Sequence, residues 1–90
     1  MVLLITYDLK RPGQDYAELY AEIKKAGTWW HHLGSTWIIE TTSSPKHWYE
    51  RLAPHIDGND NLIIFEITSN YYGWAPQKAW DWLAKRNFRV

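Results

Sequence analysis

The spacing of apolar positions changes several times along the chain, and each change marks an element. Val2–Asp8 (VLLITYD) is a short β-branched and aromatic run that closes on the turn cluster Lys10-Arg11-Pro12-Gly13, the pattern of a buried strand. From Asp15 to Ala26 the residues Tyr16, Leu19, Tyr20, Ile23 and Ala26 recur three and four apart, which predicts an amphipathic helix stopped by Gly27. Glu18 and Glu22 lie early in it and Lys24 and Lys25 late, the order that suits the helix dipole. Thr28–His32 and Ser35–Thr42 are extended runs separated by Leu33-Gly34, which predicts a hairpin. Ser44-Pro45 offers an N-cap followed by proline at the first helical position, so a short helix carrying Trp48 and Leu52 should end near Pro54. The Asp57–Asn61 cluster is a turn, Leu62–Thr68 (LIIFEIT) is a fourth strand, and Pro76 opens a last helix that runs to about Arg86. Trp80, Leu83 and Ala84 share one face of that helix.

The order is strand, helix, strand, strand, helix, strand and an extra helix. Two βα units flanking a hairpin predict an α+β, ferredoxin-like βαββαβ fold with a four-stranded antiparallel sheet. Residues 1–90 read as one domain, with a core over 1–68 and a tail and helix over 69–90. Right-handed crossovers place both early helices on one face. Strand alternation turns Leu3, Ile5 and Tyr7, Trp37 and Ile39, and Ile63, Phe65 and Ile67 toward those helices. The opposite face then mixes Leu4, Ile38, Leu62 and Ile64 with Asp8, Glu40 and Glu66. A half-apolar face of this kind suits coverage by the last helix or by a second copy of the chain, so a homodimer is expected.

Composition narrows the classes. Ten Lys+Arg balance ten Asp+Glu, giving net charge +0, so polyanion binding would have to come from a local patch. Cysteine is absent, which removes disulfides, thiolate metal sites and thiol nucleophiles. The longest apolar run, Met1–Ile5, is far short of the ~20 residues that span a bilayer and lacks a signal-peptide pattern. A cytoplasmic protein without membrane association is the expectation. Seven Trp and six Tyr in 90 residues require a use in the core, in a partner surface or in a stacking platform.

Two segments carry candidate chemistry. In Thr28-Trp29-Trp30-His31-His32 neighbouring side chains point to opposite faces, so His31 and His32 do not readily share a metal, and His47 and His55 complete no zinc spacing. His31 or His32 alone is a candidate general base, because imidazole titrates near neutrality; the alternative is the polar rim of an edge strand. In the tail, Lys78, Lys85, Arg86 and Arg89 accompany a single acid, Asp81, beside Trp74 and Trp82. Cations next to aromatic rings can hold RNA or DNA by phosphate contact and base stacking. The plainer reading of the same pattern is a helix whose tryptophans cover the sheet or the partner subunit, with cations at its C-terminus suiting the dipole. Asp57, Asn59 and Asn61 mimic the start of a calcium loop, but Leu62 and Thr68 occupy the positions that require Gly and Glu.

A first strand ending Tyr7-Asp8, a glycine-stopped helix, a hairpin with Ser35-Thr36-Trp37 and an Asn/Asp turn into Leu62-Ile63-Ile64-Phe65 together resemble one family. It is the small CRISPR-associated endonuclease of spacer acquisition ("Cas two"), with its virulence-associated and toxin–antitoxin relatives. The resemblance covers roughly residues 1–68. It implies a homodimer of ferredoxin-like chains meeting through their sheets, in which Asp8 of each copy helps hold Mg²⁺ or Mn²⁺ for phosphodiester cleavage. A hard cation suits carboxylate oxygens and can activate a bound water. The other use of Asp8 is a strand-end acceptor for the following turn. A non-catalytic dimeric protein-interaction module, such as an antitoxin or accessory subunit, is the alternative function.

Overall fold

The computed structural model describes residues 1–10 and 16–89. In chain order the elements are β1 (Val2–Asp8), α1 (Ala17–Lys24), β2 (Thr28–Leu33), β3 (Thr36–Glu40), α2 (Pro45–Leu52), β4 (Asn61–Ile67) and α3 (Gln77–Ala84). A single 3-10 turn, Ala53–His55, extends α2 toward Pro54. The strands form one sheet in the order β2-β3-β1-β4, every neighbouring pair antiparallel. Strand β3 thus sits between β1 and β2, the split βαβ arrangement of a ferredoxin-like α+β fold. The expected turn residues Arg11-Pro12-Gly13 and the helix start at Asp15 lie outside the described residues.

The local causes are those expected of the sequence. Gly27 adopts φ 83°, left-handed backbone that releases the chain from α1 toward β2. The Ser44 hydroxyl accepts the backbone N–H of His47 at 3.1 Å, capping α2 just ahead of Pro45. Leu19 and Ile23 of α1, and Trp48 and Leu52 of α2, stand four residues apart and point at the sheet. They close on Leu3, Ile5, Trp37 and Ile39 in the main core. Both buried indoles are satisfied: Trp37 Nε1 donates to the Tyr7 hydroxyl and Trp48 Nε1 to Thr41 Oγ1, each at 3.0 Å. Glu22 ties α1 to α2 through Arg51, whose Nε donates to Oε1 at 3.0 Å.

Helix α3 lies on the other face and covers only part of it. Leu83 closes on Val2 and Ile38, with Trp30, Ile67, Trp80, Trp82 and Phe88 packed around them. Trp80 is therefore half-buried here rather than part of the main core. The phase expected for β4 is corrected. Register places Ile64 beside Ile5 and Leu62 beside Tyr7, so Leu62 and Ile64 face α1 and α2. Ile63 and Phe65 lie on the opposite face, and Ile67 packs under α3. Five of the seven β4 residues are aliphatic or aromatic, so both faces of the strand are apolar and alternation offers no phase to read.

Candidate functional site: an open half-sheet with an aromatic rim

Among the described residues, no element covers the second sheet face beyond the edge of α3. Ile63 and Phe65 of β4 remain 54% and 52% exposed although they sit within a regular ladder. Phe65 stands opposite Leu4 of β1, Ile63 opposite Thr6, and Thr6 in turn opposite Thr36 of β3. Leu33, at the end of β2 next to Thr36, is also exposed. Between this strip and α3 runs a groove of about 290 Å³ whose walls include Leu4, Leu33, Ile38, Trp80 and Leu83. The link from β4 to α3 forms its rim. Tyr71 stacks parallel to Trp80, ring centres 6.1 Å apart, and anchors the link; Tyr72 and Trp74 beyond it are wholly exposed. Apart from Asp8 at one end and Glu40 at the other, no side chain on the β1, β3 and β4 rows of this face is charged.

The residues expected to carry chemistry are dispersed. Asp8 ends β1 on the open face, exposed, with Lys10 Nζ at 2.6 Å from its Oδ2. It shares a shallow cavity of about 180 Å³ with Thr6 and Asn61. A divalent ion there would meet one carboxylate, already facing an ammonium, and two neutral oxygens. Such ions are held by one or two carboxylates together with substrate phosphates and waters. Among the described residues one carboxylate, the lower limit of such a set, lines this cavity.

His31 lies on the opposite side of the sheet from Asp8. Its ring stacks on Trp37 at 3.9 Å and 4°, and its Nδ1 is 3.0 Å from the Thr36 carbonyl oxygen, so that nitrogen carries the proton. The imidazole thus serves as a lid on a core tryptophan. Glu40, grouped with Asp8 on sequence grounds, pairs across from Val2 at the far end of β1. Glu66 lies on the helix-facing row beside Leu3, a correction that follows from the phase of β4.

The tail cations also separate. Arg86 lies over the Trp82 ring at 4.4 Å, bonds the Trp82 carbonyl oxygen through Nε and pairs with Glu40 at 3.4 Å. Arg89 grips Glu66, with Nε donating to Oε2 at 2.9 Å. Two of the four cations proposed for phosphate contact are therefore committed to carboxylates. Lys78 on α3 and Lys85 at its C-cap remain exposed. Trp82 is half-buried under Arg86 rather than offered to a base.

The residues that alternation misplaced are Ile63 and Phe65, and the signal for them was the unbroken run Leu62-Ile63-Ile64-Phe65. A strand apolar on both faces needs cover on both. Asp60, read only as part of a turn, is buried and accepts the backbone N–H groups of Lys10 at 2.8 Å and Asp57 at 2.7 Å as well as the Tyr16 hydroxyl at 3.0 Å. It pins the end of β1, the start of α1 and the turn into β4 to one another. Among the described residues, no helix is long and apolar enough to cross a membrane. Comparison with known proteins returns no match: no family model, no curated protein and no solved structure is similar to this chain.

Proposed function

We propose that the chain is a non-catalytic protein-interaction module that works as a homodimer and associates through β4 and the open half of its sheet. The observation that carries this reading is the exposure of Ile63, Phe65, Leu33, Tyr72 and Trp74 on the open half-sheet and its rim in a chain of 90 residues. Aromatic side chains bring roughly 150–250 Å² each, so Tyr72, Trp74 and half of Phe65 amount to roughly 400–600 Å². Ile63 and Leu33 take the patch past the ~300–600 Å² that is the largest on a typical monomer. Its size approaches the ~800 Å² per partner of a standard interface. Net charge +0 leaves no long-range repulsion against a second copy.

A module of this kind is favoured over the endonuclease reading because, among the described residues, every arginine is paired with a carboxylate, and the Asp8 carboxylate faces Lys10. Sedimentation equilibrium tests it. The 10.7 kDa chain should sediment as a dimer, and Phe65→Lys as a monomer with an unchanged circular dichroism spectrum, since the position is half-exposed. A monomeric parent chain at high micromolar concentration overturns the reading. So does cleavage of RNA or DNA with Mg²⁺ or Mn²⁺ that Asp8→Ala abolishes.

A further inference from the structure

The two edges of the sheet are protected to different degrees. Strand β2, at one edge, carries a register break between Trp30 and Leu33 and places His31 and His32 within that break. Bulges and polar residues are the devices by which edges resist pairing with another chain. Strand β4, at the other edge, has no bulge, and its only polar residues are Asn61 at its start and Glu66. Its register with β1 is unbroken from Asn61 to Ile67, it holds no proline or lysine, and its one charge, Glu66, is neutralised by Arg89. Among the described residues, no backbone group outside the β1 ladder bonds to Asn61–Ile67. An unprotected apolar edge of seven residues is a template for an added strand.

We infer that the occupant of this edge is the β4 strand of a second copy, paired antiparallel about a two-fold axis at Ile64, so that two four-stranded sheets become one of eight. The inference rests on the homodimer reading above and specifies its geometry. A two-fold axis normal to the sheet pairs residues of like parity, and only the axis at Ile64 matches all seven residues of Asn61–Ile67 in both strands. In that register Ile64 meets the partner's Ile64, Ile63 meets the partner's Phe65 and Leu62 meets the partner's Glu66. Aromatic against β-branched is a favourable cross-strand pair, and no like charges oppose each other. Moving the axis to Glu66 would set two glutamates face to face. The half-exposed Ile63 and Phe65 of each copy then flank one another across the seam, and each covers one side of its cross-strand neighbour.

The absence of cysteine makes the register directly readable. Ile63→Cys and Phe65→Cys chains are prepared separately, then oxidised alone and as an equal mixture. Directly opposed residues lie within disulfide reach, whereas residues offset by two along the strand do not. The mixture should give a disulfide-linked dimer as its main product, at least tenfold over either variant alone, and excess unlabelled parent chain should suppress it by competition. Both substitutions fall on exposed positions, and a circular dichroism melt of each confirms that it is folded. A dimer in sedimentation with no preferential cross-link in the mixture overturns the edge pairing and leaves the homodimer standing. Cross-linking of Ile63→Cys with itself moves the axis to that residue and overturns the register. A monomer overturns both readings.

Discussion

The Tyr7 hydroxyl is held neutral well past the pH at which a free phenol ionises. Burial in the core is the main cause; the Trp37 indole N–H that bonds it acts in the opposite direction, and nearby Tyr20 adds to the rise. Its pKa is pushed up from 10.0 to about 12. The sign follows from linkage. Below pH 10 the phenol is protonated in both folded and unfolded chains, and its contribution to stability is fully present. Between pH 10 and about 12 only the unfolded chain ionises there, so stability falls. Urea midpoints from pH 9 to 11.5 should therefore decline, and Tyr7→Phe should decline less steeply while being less stable at pH 7, where Trp37 Nε1 loses its acceptor. An equally steep decline in Tyr7→Phe would remove Tyr7 as a source of the effect. Among single residues, the sequence shows the inward Leu3, Ile5, Trp37 and Trp48 through periodicity alone. It conceals Asp60, because an Asp in an Asn/Asp-rich turn looks the same whether it faces water or gathers donors from three segments.

At the scale of elements, helix α3 determines which half of the second sheet face remains open. Its hold on the sheet combines Leu83 over Val2 and Ile38 with the Arg86–Glu40 pair and the Asn87 amide near Glu40. The ion pair is long, at 3.4 Å, and Glu40 is still 25% exposed, so the pair is a minor term beside apolar burial. Leu83→Ala should lower stability by about 2–3 kcal/mol, at the lower end for a buried leucine because one flank of the site opens to the groove. The Trp80 and Trp82 fluorescence should shift red in the same variant. A loss under about 0.5 kcal/mol, the size of an ordinary surface change, would show that α3 is not docked as described. Element order and type are legible in the sequence because Gly27, Ser44-Pro45 and Pro76 punctuate clear periods. The phase of β4 is not, because a strand that needs cover on both faces carries the same apolar signal on each.

At the scale of the molecule, α1 and α2 cover one face, α3 half of the other, and β4 leaves an apolar edge and strip exposed. The sequence alone supports a homodimer by counting uncovered apolar positions, but only strand order identifies β4 as an edge and only register separates the paired positions. The edge pairing proposed above also fixes where the two Asp8 side chains of such a dimer would stand. Three strand spacings separate the two β1 strands by roughly 14 Å, and Asp8, opposite Asn61, lies six residues from its mate along the strand direction, roughly 20 Å. The two carboxylates then stand about 25 Å apart, whereas a shared ion needs them within roughly 5 Å. Pulsed electron–electron resonance on Asp8→Cys, spin-labelled in the otherwise cysteine-free chain, measures that separation in solution. The account predicts a single distance centred near about 25 Å. Labels in near contact, or no intermolecular distance at all, would contradict it.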